Sequence, residues 1–183
     1  RMISDDEGFF YPHIDRSKCI DCGLCEKTCP VINPLPLGAE YKHRYAYAAI
    51  NRNEHERLSS SSGGIFPLLT HYVFNKNGVV YGAAFDEYYS VKHLCADDEA
   101  TAKKLYTSKY VQSNIGDCFK QIKEHLEADR WVLFSGTPCH VSGLKTFLDK
   151  EYDKLINVDF ICHGVPSPGV WRRYLDEITD NPK

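Results

Sequence analysis

The chain has 183 residues, of which 43% are hydrophobic and 26% are charged, and its formal net charge is −3. This balance is typical of a folded globular protein and excludes extensive disorder. Charges of both signs are mixed, so the basic footprint of a nucleic-acid-binding protein is missing, and no apolar run reaches the roughly 20 residues that a membrane-spanning helix needs. We therefore expect a cytoplasmic protein that binds no nucleic acid and has no membrane span.

The chain opens with a short predicted strand at residues 8–14, which leads into a segment rich in cysteine. Four of the eight cysteines lie between Cys19 and Cys29, and the other four are widely spread. A disulfide-stapled domain distributes its cysteines more evenly, so this pattern favours thiolate chemistry in a reducing compartment.

The segment Cys19-Ile-Asp-Cys22-Gly-Leu-Cys25-Glu-Lys-Thr-Cys29-Pro30 has the spacing C-x2-C-x2-C-x3-C-P of bacterial ferredoxins. Two residues between thiolates let a tight loop wrap three corners of an iron–sulfur cluster, and Gly23 permits the backbone angles of that loop. In two-cluster ferredoxins the fourth cysteine binds the other cluster, so we expect a preceding cysteine motif upstream of residue 1. The alternative is a zinc knuckle.

Residues 1–32 are predicted to form this partial 4Fe-4S module, and the Pro- and Gly-containing residues 33–40 a linker to the main body. The first part of the body, 41–112, has predicted strands at 45–50, 78–85 and 88–95, the last two joined by a tight Asp-Glu connection. A helix with the apolar residues Ile65, Phe66, Leu69, Tyr72 and Val73 follows the loop at 59–64, and a short helix begins at Asp97 or Asp98.

The second part, residues 113–183, alternates helices with buried strands. The predicted order is a helix capped by Ser113, a strand at 131–135, the loop Gly136–His140, a helix, a strand at 155–161, the loop Cys162–Gly169 and a last helix. Short connections of this kind indicate a parallel sheet. The expected fold is α/β, with a parallel or mixed sheet, flanking helices and the small iron–sulfur module in front.

Both loops leave the carboxyl ends of their strands, the edge where α/β sheets bind ligands. Cys139 and Cys162 each precede a histidine, and three interpretations stay open: a nucleophile with a histidine base, ligands of a further cluster or contacts to a flavin, or packed inert thiols. Cys95 and Cys118 favour the inert interpretation.

The small residues at 59–64 either cradle a phosphate or form a flexible connector, and Lys109 either pairs with a phosphate or is solvated.

Six segments in this order resemble one known family: CIDCGLCEKTCP, SSSGGIF, GVVYGAAF, SKYVQSNIGD, LFSGTPCHVSGLK and ICHGVPSP. The chain is similar to the coenzyme F420 hydrogenase/dehydrogenase beta subunit family, including members with an N-terminal ferredoxin module. The resemblance implies an α/β body that holds FAD near a 4Fe-4S cluster. It implies cofactor-binding roles for Ser61, Ser62, Gly63, Gly64, Lys109, Gly136, Thr137 and Pro138, and cluster ligation by Cys139 and Cys162 beside Cys19, Cys22, Cys25 and Cys29.

The resemblance also implies an activity: electrons pass between clusters and FAD, which exchanges hydride with a two-electron carrier such as coenzyme F420 or another substrate. Expected partners are a redox carrier or ferredoxin-like donor and a catalytic subunit. Relatives continue beyond the CHGVPSP loop and the upstream ferredoxin half is missing, so we expect a fragment. Glutamine is common in relatives where His140 stands, so the resemblance does not define the chemistry at that position. The alternatives are an electron-delivery subunit without its own substrate site, and a Cys/His thiol enzyme with a structural metal.

Overall fold

A computed structural model describes residues 2–34 and 45–179 of the chain. Its strands are β1 (Met2–Ser4), β2 (Phe10–Pro12), β3 (Val79–Phe85), β4 (Val91–Ala96), β5 (Val132–Gly136) and β6 (Leu155–Asp159). Its helices are α1 (Leu24–Lys27), α2 (Glu54–Leu58), α3 (Ile65–Phe74), α4 (Glu99–Lys103), α5 (Cys118–Glu127), α6 (Pro138–Leu148) and α7 (Pro168–Ile178). Within these ranges no helix is both long and apolar enough to cross a membrane.

The body is built on a four-stranded mixed sheet in the order β4-β3-β5-β6. Strands β3, β5 and β6 are parallel, and β4 pairs antiparallel with β3. The α/β class and the mixed sheet are thus confirmed. The parallel pairs arise because α6 returns the chain between β5 and β6, whereas β3 and β4 are joined directly and must run in opposite directions.

Each face of the sheet is covered by a separate group of helices. One hydrophobic core packs α5 and α6 on one face, and the other packs α3 and α4 on the opposite face. Alternate residues of β5 divide between them, since Phe134 belongs to the first core and Leu133 to the second, both fully buried. A strand buried on both faces is apolar along its buried residues, as Val132, Leu133 and Phe134 are.

The antiparallel hairpin β1-β2 at the N-terminus was predicted only in part. The strand expected at 8–14 is limited to Phe10–Pro12, and its partner Met2–Ser4 was missed. The turn between them is fixed by Asp5, whose side chain accepts the backbone N–H of Glu7 and Phe9 at 3.1 and 2.7 Å. Hydrogen bonds of a carboxylate to its own turn are typical of Asp and need no long-range partner.

The strand predicted at 45–50 is wrong. Its alternating tyrosines suggested a half-buried strand, but Tyr45 and Tyr47 are 74% and 84% exposed and these residues pair with no strand. The chain next to them instead joins the loop before α3, because the Asn51 N–H donates to the Gly63 carbonyl at 2.7 Å. Most of the predicted linker, residues 35–40, lies outside the described residues.

Three boundaries in the body also differ from the prediction. Strand β4 starts at Val91 and not at residue 88, because the Asp86 carboxylate accepts the N–H groups of Tyr88 and Ser90 and closes a longer turn. Asp117, not Ser113, precedes α5, since the Ser113 hydroxyl is bonded to His93 at 2.7 Å. Strand β6 ends at Asp159, two residues before the predicted end.

Candidate iron–sulfur and cofactor region

The cysteine segment folds as a tight loop followed by a single helical turn. Asp21 and Gly23 have positive φ values of 51° and 69°, and Gly23 begins α1, which contains Cys25. Cys22 and Cys25 are exposed, and Cys19 and Cys29 are half-buried. The left-handed Gly23 is the feature that the ferredoxin spacing predicted for this loop.

The donor set of this segment fits an iron–sulfur cluster. All four cysteines are free thiols, the donors that bind such a cluster. Across residues 2–34 and 45–179, no three His, Cys, Asp or Glu side chains are close enough to hold one metal ion.

The cysteine segment packs against α6 of the body. The Thr146 hydroxyl donates to the Thr28 carbonyl at 2.8 Å, and Lys27 pairs with Asp149 at 2.8 Å. Pro30 lies against Gly143, where an added Cβ would be 3.9 Å from the proline ring and 3.5 Å from the ring of Phe119. Both distances are ordinary van der Waals contacts, so the residue after Cys29 and Phe119 of the aromatic core both lie close to Gly143.

The hairpin is bound to the first turn of α7. Ser167, 1% exposed, donates its hydroxyl to the Glu7 carbonyl at 2.6 Å and accepts the N–H of Val170, which caps the helix. Phe10 exchanges two hydrogen bonds with the side chain of Gln112, and Gln112 N–H donates to the Pro166 carbonyl. The loop after β6, the hairpin and the segment before α5 therefore meet at one place.

We predict that Gly8→Ala loosens this contact. Gly8 has φ +84°, and a Cβ there would lie 2.5 Å from the backbone of Gly169, so the hairpin must move away. The left-handed conformation alone costs an alanine about 1–2 kcal/mol. Limited proteolysis should then cut the hairpin faster than in the parent. Gly116→Ala, with φ +54° and open space around it, is the matched control, and equal cleavage of the two variants would contradict the clash.

The loop Ser61–Gly64 and residues 108–109 are brought together, although the sequence separates them. The Ser61 hydroxyl lies 3.1 Å from the Ser108 hydroxyl and accepts the Ser108 N–H at 2.9 Å. Ser62 and Gly64 have positive φ values of 53° and 68°, and Gly64 begins α3. The loop is thus a built turn and not a flexible connector, and its end forms the N-terminus of a ten-residue helix.

Lys109 is half-buried beside this loop and is not freely solvated. Its ammonium donates to the carbonyls of Lys104 and Thr107, the second at 2.7 Å. Burial lowers the pKa of this ammonium to about 8. The described hydrogen bonds use two of its three donors, which leaves one for an anion.

Residues Gly136, Thr137 and Pro138 lie at the carboxyl edge of the sheet but do not form the predicted loop. Gly136 ends β5, Thr137 is the N-cap of α6, and Pro138 is its first residue. Because α3 runs back over β3 and β5, its N-terminus reaches the same edge from the other face. The serine loop and the N-terminus of α6 thus lie at the same carboxyl edge of the sheet, but on opposite faces.

Cys139 lies in the first turn of α6, not in a loop, and Cys162 lies in the loop after β6. Both are exposed. The Cys139 sulfur is 3.0 Å from the Thr137 hydroxyl, and the Cys162 thiol makes a long contact of 3.9 Å to the Gly164 carbonyl. In the described hydrogen bonds neither thiol has a histidine partner. Cys118 is buried, as expected of an inert thiol.

A buried histidine that sequence reasoning missed lies at this edge. His93 on β4 is 7% exposed, its ring stacks on Phe134, and its two nitrogens bond to the Ser113 hydroxyl at 2.7 Å and the Ser135 carbonyl at 3.1 Å. Only an N–H can bond to the carbonyl, so Nε2 carries the proton and Nδ1 accepts. The alternation Val91, His93, Cys95 on the inward side of β4 was the signal for a buried histidine.

His140, in the first turn of α6, faces inward onto His93. The two rings meet edge to face at 5.0 Å, and His140 Nδ1 is buried without a described hydrogen-bond partner. Burial lowers the pKa of each ring to about 4, and for His93 the nearby charge of a protonated His140 adds to it. Both histidines are therefore neutral at pH 7, and His140 does not face Cys139 as a base.

We predict that His93 makes stability depend on pH. Its pKa is about 4 in the fold and 6.5 ordinarily, so the unfolded chain binds the proton first and stability is lost as pH falls from 6.5 to 4. The loss is on the order of 3 kcal/mol. Urea unfolding at successive pH values checks this. His93→Gln keeps hydrogen-bonding atoms without a charge change and should remove the His93 part of this pH dependence, leaving the part that comes from His140. An unchanged profile would contradict the assignment.

Two family models match the chain. Residues 11–34 match the model of a 4Fe-4S binding domain, which spans all four clustered cysteines. Residues 129–183 match the C terminus of the coenzyme F420 hydrogenase/dehydrogenase beta subunit, which spans β5, α6, β6 and α7. No curated protein matches the chain significantly. Residues 11–34 are thus similar to a 4Fe-4S binding domain and residues 129–183 to the C terminus of the coenzyme F420 hydrogenase/dehydrogenase beta subunit, and together the two matches support an electron-transfer oxidoreductase subunit.

Proposed function

We propose that the chain belongs to an iron–sulfur flavoprotein that links one-electron and two-electron carriers. Cys19, Cys22 and Cys25 hold a 4Fe-4S cluster, Cys29 binds a second one, and FAD binds at the carboxyl edge of the sheet. When bound, the cluster supplies single electrons, and FAD exchanges two electrons as hydride with a carrier such as coenzyme F420 or another substrate. A ferredoxin-like donor and a catalytic partner subunit complete the path.

The observation that carries the proposal is the packing of the cysteine segment on the body. The Thr28 carbonyl, before Cys29, accepts the Thr146 hydroxyl of α6, and Pro30, after Cys29, lies with the ring of Phe119 around the Cβ position of Gly143. From Phe119 the aromatic contacts continue to Phe134 at 5.9 Å and from there to His93 at 5.6 Å. This packed route joins the cysteines to the sheet edge where the cofactor is proposed.

The serine loop supports the other end of the proposal. A helix N-terminus with exposed N–H groups and a nearby ammonium favours phosphate, and here α3, Ser61 and Lys109 combine these features. The residues of this loop bind and orient the diphosphate, while Gly136, Thr137 and Pro138 approach the ring from α6. Buried His93 and half-buried His140, both neutral at pH 7, line that side of the sheet.

Flavin binding by the full chain tests the proposal. We expect the protein, purified without oxygen, to bind FAD, and Lys109→Ala to weaken binding about tenfold, since a charged hydrogen bond contributes about 1.5–3 kcal/mol. Lys120→Ala removes an exposed lysine that pairs only with Asp117 and is the matched control. Undetectable FAD binding would reject the flavin part of the proposed function. It would leave the alternative of an electron-delivery subunit, in which a partner subunit holds the substrate site.

The geometry does not favour the thiol-enzyme alternative. A nucleophilic cysteine needs a base within hydrogen-bond reach, but Cys139 contacts Thr137 while His140 turns inward to His93. Cys139 and Cys162 as further cluster ligands remain part of the proposal. The iron content of the Cys139→Ala and Cys162→Ala variants tests this ligation. Less iron per chain than in the parent supports it, and the same iron content as in the parent rejects it.

A further inference from the structure

Asn51 is a buried polar residue next to the serine loop, and it has no role in the function proposed above. It is 2% exposed, and each of its four polar groups has a partner. Its N–H donates to the Gly63 carbonyl and its carbonyl accepts the Arg57 guanidinium, both at 2.7 Å. Its side-chain amide accepts the N–H of Asn53 and donates to the Glu56 carboxylate, both at 2.9 Å. A buried amide that is bonded in this way fixes the backbone around it.

The two glycines of the serine loop permit this close contact. A Cβ on Gly63 would lie 2.5 Å from the carbonyl oxygen of Ala49. A Cβ on Gly64, whose φ is +68°, would lie 2.8 Å from the Cα of Arg57 and 3.3 Å from the Cβ of Asn51. The residues before Asn51 and the helix α2 therefore pack directly against one side of the loop.

The other side of the loop is bonded to residues 106–108. The Ser60 hydroxyl and the Ser61 N–H donate to the Tyr106 carbonyl at 3.0 and 3.1 Å. The Ser61 hydroxyl in turn accepts the Ser108 N–H. The loop is thus held between two segments of the chain, and Asn51 provides the fixed point on the side of α2.

The loop held in this way leaves N–H groups free at the start of α3. The Gly64 N–H donates to the Ser61 carbonyl at 3.1 Å and closes the turn. Pro67 has no N–H, and among the described hydrogen bonds the N–H groups of Ile65 and Phe66 have no acceptor. Unpaired N–H groups at a helix N-terminus are the donors that bind an anion, and the turn before the helix sets their direction.

We propose that Asn51 is a positioning residue, which holds the serine loop in its phosphate-binding conformation before the cofactor arrives. It touches no ligand itself and acts through the Gly63 carbonyl. An amide suits this position because the buried side chain must accept from Asn53 and donate to Glu56 at the same time. The proposal rests on the flavin function above, because the same loop is proposed to bind the diphosphate.

The first test measures the affinity of the full chain for FAD and for pyrophosphate. Asn51→Ala should weaken both about tenfold, because the free N–H groups lose their common direction. Ser167→Ala is the matched control, since Ser167 is 1% exposed and bonds to the Glu7 carbonyl at the contact between the hairpin and α7. It should lower the melting temperature as Asn51→Ala does, but leave both affinities unchanged. Equal losses of affinity in the two variants would overturn the inference.

A second test exchanges the two partners of the side-chain hydrogen bond. Glu56→Gln keeps an acceptor for the Asn51 amide and should change the affinities little. Asn51→Asp places two carboxylates side by side and should weaken FAD and pyrophosphate binding. In the double variant the new amide donates to the new carboxylate, so the affinities should return to those of the parent. A double variant as weak as Asn51→Asp alone would contradict the role of this bond.

Amide hydrogen exchange separates this inference from the flavin function. The N–H groups of Ser61 and Gly64 should exchange faster in Asn51→Ala than in Ser167→Ala, with or without FAD. Faster exchange in a protein that binds no FAD supports the positioning of the loop by Asn51 and rejects the flavin function. Exchange rates equal to those of the parent, or parent affinities for FAD and pyrophosphate in Asn51→Ala, would overturn the inference and leave the flavin function standing.

Discussion

Cys22→Ser should remove the iron and acid-labile sulfide of the cluster proposed at Cys19, Cys22 and Cys25 from the purified protein, together with that cluster's share of the brown colour. Cys22 is exposed in the loop before the left-handed Gly23, and serine is a poor substitute for a thiolate on iron. Because the side chain makes no core contact, the body should keep its melting temperature. Iron and sulfide analysis after anaerobic purification measures the effect directly.

Cys95→Ala is the control for this variant. Cys95 lies on β4, half-buried beside the first hydrophobic core, and it is not a predicted cluster ligand. Its iron and sulfide content should equal that of the parent. If Cys22→Ser retained the parent's iron and sulfide, the cysteine segment would not hold the cluster.

Phe134→Ala should lower the free energy of unfolding by about 3–5 kcal/mol, the usual cost of removing a buried aromatic side chain. Phe134 is fully buried at the centre of β5 and contacts the rings of Phe119 and His93. Its loss leaves a cavity between the sheet and α5 and removes the ring that links Phe119 to His93. Urea unfolding followed by circular dichroism gives the change.

Phe160→Ala is the matched control, because Phe160 follows the neighbouring strand β6 but is 54% exposed. Its cost should stay below about 1 kcal/mol. Similar losses in the two variants would mean that β5 is not the buried central strand described here.

The local sequence pattern was sufficient to predict those features that depend on the chemistry or burial of a few neighbouring residues. The ferredoxin spacing predicted the cysteine loop because ligand geometry dictates it, and the family model at residues 11–34 confirms the 4Fe-4S assignment. The apolar run around Phe134 predicted β5 because a strand covered on both faces has no polar side. The run around Ile156 predicted the position of β6, but that strand, expected to be buried, is half-buried at the edge of the described sheet. The strand at 45–50 failed because alternation alone provides no partner strand.

Contacts between distant residues could not be predicted from the sequence. Ser61 and Ser108 are 47 positions apart, and Phe10 and Gln112 are 102 apart, yet they fix the serine loop and the hairpin. Such pairs depend on how the helices pack, which no short-range pattern encodes. His140 likewise faces inward because α6 begins at Pro138, directly after its N-cap Thr137, whereas the sequence predicted a loop at this position.

The most direct test of the electron-transfer assignment is the metal and sulfide content of the protein purified without oxygen, measured together with its visible spectrum and flavin content. The account predicts iron and acid-labile sulfide in cluster proportions, with absorbance that bleaches on reduction, and bound FAD if the flavin proposal holds. Zinc in place of iron, without sulfide or flavin, would contradict it and make the cysteine segment a structural metal site.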